Sequence, residues 1–123
     1  MANPYYFKDG SGDTIIPVAD ADFFTDQMEL GYEDGQFYIE FFSDALAQTP
    51  VTPTAGAITA RGSPLGNAYL TSSADEVVNA VDVQPGNALY TPPRFMGAMT
   101  KAKVTLLGIA GATHFRAVMW RHD

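Results

Sequence analysis

The residues with the best claim to chemistry are the carboxylates of Asp9-Gly10-Ser11-Gly12-Asp13, followed by Asp20 and Asp22. Closely spaced oxygen donors of this kind resemble a calcium loop. The pattern departs from that of an EF-hand, because Thr14 stands at the turn-glycine position, Asp20 replaces the bidentate glutamate, and Pro17 lies among β-prone residues. Gly, Asp and Ser are also the residues that close tight turns, and the segment reads as a hairpin turn. His114 and His122 are eight residues apart on an expected strand. At strand rise that separates them by ~26 Å, too far to share one metal within a chain. Three copies of His114 around a three-fold axis are the remaining arrangement, and a ligand ring demands geometry that nothing else in the sequence prepares.

Nucleophilic chemistry finds no support. Gly10-Ser11-Gly12 and Gly62-Ser63-Pro64 lack the Gly-x-Ser-x-Gly elbow, and no serine or histidine spacing suggests a base beside a nucleophile. No glycine-rich loop of the phosphate-cradling type opens a helix. The expectation is a non-enzymatic protein with no cofactor and no bound metal. Six Tyr, eight Phe and one Trp could stack on sugars or bases, but rings this numerous are first of all core and contact material.

The elements that would carry these residues are strands. Residues 101–107 put Ala102, Val104 and Leu106 on one side and Lys101, Lys103 and Thr105 on the other. Residues 113–121 put Thr113, Phe115, Ala117 and Met119 in one row, while the opposite row, with Arg116, Val118 and Trp120, also carries apolar bulk. The small residues 108–112 between these runs suggest a β-hairpin. Phe37, Ile39 and Phe41 alternate toward a core after the turn dipeptide Asp34-Gly35, with Tyr38 and Phe42 facing outward. Strands are also expected at 55–62, 68–70, 76–83 and 88–91, and a short helical turn within 19–30. Pro17 makes its segment an edge or a laid-on piece. Turn signals every 8–12 residues then predict an all-β fold of about seven to nine short strands, an antiparallel β-sandwich or small β-barrel.

At 123 residues the chain fits one domain able to bury a core unaided, and it has no cysteine to supply staples or thiolate ligands. We divide it into an N-terminal arm or hairpin, 1–18, and a β domain, 19–123. The arm holds the aromatic triplet Tyr5, Tyr6 and Phe7 and is expected to dock on a neighbour. Fourteen acidic against seven basic residues, a net charge of −7, disfavour nucleic acid. No apolar run approaches the ~20 residues of a membrane span, and the start lacks a signal-peptide pattern, so a soluble, non-exported protein without a membrane partner is expected. Apolar residues on otherwise polar strand faces predict self-association, with Tyr5, Tyr6, Phe7, Phe42, Arg116, Val118 and Trp120 as interface residues.

The arm, the turn at Gly62-Ser63-Pro64-Leu65-Gly66-Asn67, the Tyr90-Thr91-Pro92-Pro93 stop and the closing Gly111-Ala112-Thr113-His114-Phe115-Arg116 strand through Trp120-Arg121 together resemble the small virion proteins of tailed bacteriophages. Within that group the chain is most similar to head decoration, or cement, proteins. The resemblance implies a trimer of β subunits on the capsid lattice, located in the virion after synthesis in the host cytoplasm, with the major capsid protein as partner. A tail, baseplate or fibre-attachment component is the near alternative. A carbohydrate-binding β module, stacking sugars on Tyr38, Tyr69, Tyr90 or Trp120, is the alternative from another class.

Overall fold

The computed structural model describes residues 2–28, 34–63, 76–84 and 100–122. It is all-β: one antiparallel sheet curls into a half-barrel around its own core. The strands are β1 (Ala2–Lys8), β2 (Ile16–Pro17), β3 (Ala21–Thr25), β4 (Asp34–Phe42), β5 (Pro50–Val51), β6 (Ala55–Ser63), β7 (Glu76–Asn79), β8 (Lys101–Ala110) and β9 (His114–His122). Their spatial order is β5-β4-β9-β1-β3-β8-β6-β7, with β2 also pairing β9.

Alternation along each strand decides what the curl encloses. Phe37, Ile39 and Phe41 of β4, Val104 and Leu106 of β8, and Phe115, Ala117 and Met119 of β9 are all buried on the concave side. Phe23 meets Phe115 edge-on at 5.0 Å between ring centroids, and Phe7 meets Phe37 in the same way at 5.8 Å. Such pairs add ~1 kcal/mol each beyond the area they bury. Two buried polar groups are satisfied locally: Thr25 Oγ1 accepts from the Ala102 amide at 3.0 Å, and the Thr100 amide donates to the Ser63 carbonyl at 2.9 Å.

Several expectations are corrected. Residues 2–8 are not a detached arm: β1 pairs β9 through residues 2–6 and β3 through Phe7 and Lys8, so it is the seam that joins the two halves of the sheet. The alternation that makes Tyr6 face outward turns Phe7 into the core, where the gain from burying a ring outweighs any benefit of a free arm. β8 and β9 are consecutive in sequence but do not form a hairpin. β8 lies between β3 and β6, and β9 between β4 and β1, so residues 111–113 carry the chain across to another part of the sheet. Backbone bonds fix that crossing at both ends, from the Thr54 amide to the Ala110 carbonyl and from the Thr113 amide to the Phe42 carbonyl. Asp34 and Gly35 lie inside β4, opposite His122 and Arg121, rather than in a turn. Where a helical turn was expected within 19–30, residues 21–25 form β3, whose two phenylalanines face opposite ways. The strand expected over 76–83 runs to Asn79 and then tightens into a 3-10 turn, Ala80–Asp82. The strands expected at 68–70 and 88–91, with Tyr69 and Tyr90, lie outside the described residues.

Candidate interaction surface

The residues first considered for chemistry diverge. Asp9 is consumed by its own turn, its Oδ1 accepting from the amides of Ser11 and Asp13 at 2.9 Å each. Asp20 accepts from the Gly108 amide at 2.8 Å, and Asp22 from the Thr105 hydroxyl at 2.6 Å. These bonds aim the carboxylates at strands and turns rather than at a common point. His114 Nδ1 lies 2.9 Å from the Thr113 hydroxyl. Among the described residues no group of three or more His, Asp or Glu side chains is placed to hold a metal ion.

The outer face of the sheet gathers part of the expected interface set. Val118 of β9 stands opposite Tyr6 of β1 on one side and Tyr38 of β4 on the other. These three form one cross-strand row, with Tyr6 39% exposed and Val118 and Tyr38 half-buried. One step along, Arg116 stands opposite Glu40, their charged groups 3.1 Å apart. Its guanidinium also lies 5.5 Å from the centroid of the Phe42 ring. Trp120 occupies the next register position, opposite Pro4 and Gln36.

Two members of the expected set face inward, and a third is covered. Phe7 is 0% exposed in the core, and Tyr5, on the same side of β1, packs against it. Phe42 does lie on the outer side, yet it is 1% exposed, with Arg116 stacked over it. Arg116, expected at the interface, pairs with a carboxylate of its own chain. A half-exposed pair of this kind contributes no more than ~1 kcal/mol.

The turn after β4 is held by Asp44, whose carboxylate accepts from the amides of Gln48 at 3.1 Å and Thr49 at 3.0 Å. The bond from Thr49 is the main reason the Asp44 carboxyl lies below the ordinary aspartate range, with the Gln48 and Leu46 amides and the charge of His114 acting in the same direction. A depressed folded pKa gives stability that is present above the unfolded value and is lost as pH falls through the folded one. Asp44→Asn is therefore expected to flatten the loss of stability on acidification below about pH 4, near the unfolded aspartate pKa. Urea midpoints measured from pH 6 down to pH 2 check this, and parallel curves for the two proteins would refute it.

The structure adds what the sequence does not display, namely register. That Tyr6, Val118 and Tyr38 share a row depends on pairings between strands far apart in sequence, and no local signal carries it. No protein-family model, curated protein or solved structure matches the chain.

Proposed function

We propose that this chain is a non-enzymatic virion structural protein of a tailed bacteriophage, a head decoration protein that assembles as a trimer through the outer face of its sheet. The observation that carries the assembly half is the row Tyr6–Val118–Tyr38 across β1, β9 and β4. Apolar and aromatic side chains in register on an outward face are what a second surface covers in an oligomer. The virion half rests on the resemblance of the sequence to phage decoration proteins. Its partners are further copies of itself and the major capsid protein, and its place is the virion.

Tyr6→Glu combined with Val118→Glu is expected to weaken self-association at least tenfold, about 1.4 kcal/mol. Because both side chains face outward, the melting temperature should fall by only a few degrees. Sedimentation velocity on the wild type and the variant over a concentration series checks this. An unchanged distribution would refute the assembly surface.

One observation favours a second reading. Tyr6 and Tyr38 flank Val118 two strand spacings apart, roughly 9–10 Å, a separation at which two rings can meet successive sugar units. Quenching of tyrosine fluorescence by a soluble oligosaccharide, lost in Tyr38→Ala, would favour this carbohydrate-binding module over the structural role.

A further inference from the structure

On the other half of the sheet the outer face opens into a groove of about 650 Å³, lined by Lys8, Asp9, Asp22, Phe24, Asp26 and Lys101. A volume of roughly 300–1,000 Å³ is usual for a small-molecule site. Alternation along β3 turns Phe23 and Thr25 inward and Phe24 outward, where its ring is 38% exposed. Register sets Lys8 of β1 opposite it. The 9–13 turn makes the remaining wall, and a Cβ built on Gly10 or Gly12 would meet nothing within 4 Å, so that wall leaves open space.

The polar groups around the ring are of both kinds. Lys8 donates to Asp26 Oδ2, and the Thr105 hydroxyl donates to Asp22 Oδ1. Asp9 Oδ1 takes the amides of Ser11 and Asp13. Asp26 Oδ1 and Asp9 Oδ2 are left as acceptors without a partner among the described residues. Lys101 is the matching donor. It is half-buried with its ammonium 5.6 Å from the Phe24 ring centroid, and among the described residues no carboxylate pairs with it.

An ammonium only donates and a carboxylate only accepts. A lining of three carboxylates and two ammoniums suits an ion of neither sign as well as a neutral group that donates to one kind and accepts from the other. A sugar hydroxyl is such a group, and the C–H face of a sugar ring packs on an exposed aromatic side chain. We infer that this groove binds a neutral saccharide unit, its ring against Phe24 and its hydroxyls between the Lys101 ammonium and the carboxylates of Asp9 and Asp26. The groove is distinct from the Tyr6–Val118–Tyr38 row, which crosses β1, β9 and β4, and binding in it does not depend on self-assembly.

The test titrates the full chain with neutral trisaccharides, namely maltotriose, cellotriose, mannotriose and triacetylchitotriose, and follows backbone amide shifts by NMR. Sugar is raised to about 50 mM, enough to saturate a site whose Kd is on the order of 5 mM. At least one sugar is expected to give saturable shifts confined to residues 8–13, 22–26 and 101. Phe24→Ala removes the ring and Lys101→Met removes the ammonium while keeping most of its stem. Each is expected to weaken binding about tenfold, whereas Tyr38→Ala should leave it unchanged. The wild-type shift map decides the question even where a variant folds poorly. Silence toward all four sugars would overturn the inference. Shifts centred on Tyr6 and Tyr38 would overturn it in favour of the tyrosine row. Tighter binding of inorganic phosphate or of ethanolamine than of any sugar would overturn it too, because the groove would then select charge. So would groove shifts whose affinity neither Phe24→Ala nor Lys101→Met changes.

Discussion

Phe7→Ala is expected to destabilise the fold by about 3–5 kcal/mol, the range for emptying a buried phenylalanine site. Marginal domains have only ~5–15 kcal/mol in total, so the variant should be near unfolding at 37 °C. The site is completely buried, with Phe37 edge-on to the ring at 5.8 Å. It also sits where β1 passes from pairing with β9 to pairing with β3, so a cavity there loosens the join between the two halves of the sheet. Tyr6→Ala, one residue earlier and outward, should cost under about 1 kcal/mol of folding stability. Urea unfolding of both variants gives the contrast directly. Equal and small effects would mean that the segment is an appended arm after all.

Gly56→Ala carries the second large effect. Gly56 has φ of +124°, and an added Cβ would lie 2.5 Å from Ile109 Cδ1 and 2.8 Å from Ile109 Cα. The side-chain contact could relax, but the backbone contact cannot without moving β8. The residue sits at the irregularity between Ala55 and Ala57 in the β6–β8 pairing, where it alone stands against two residues of β8, Gly108 and Ile109. Backbone strain and overpacking together put the expected cost at about 2–4 kcal/mol. Gly10→Ala is the control, since nothing lies within 4 Å of its would-be Cβ and its φ is ordinary. Faster amide exchange confined to β6 and β8 should accompany the loss in Gly56→Ala, and a midpoint like that of the control would refute the close approach.

Faces were legible in the sequence and partners were not. The rows Phe37–Ile39–Phe41, Ala102–Val104–Leu106 and Phe115–Ala117–Met119 all reach the core, because period-2 patterning reports burial directly. The same patterning cannot say which strand lies alongside, which is why 101–107 and 113–121 suggested a hairpin while β8 and β9 pair elsewhere. Asp34-Gly35 carries a turn signal, yet β9 is long enough to pair with both residues, and tertiary pairing overrides the local preference. Phe23 and Phe24 fit no helical or alternating template, because consecutive large residues on a strand must part to opposite faces. At the candidate surface Val118 stood out in the sequence for its apolar character on an otherwise polar face, and Tyr6 as one of the aromatic triplet of residues 5–7. Phe42 showed the same signal and proved covered by Arg116, an intrachain contact that only register reveals.

Self-assembly is tested most directly by the light-scattering mass of the full chain eluting from a sizing column at micromolar concentration. A trimer gives a mass near three times the 13.2 kDa of one chain. A mass of one chain, unchanged as concentration rises, would contradict it.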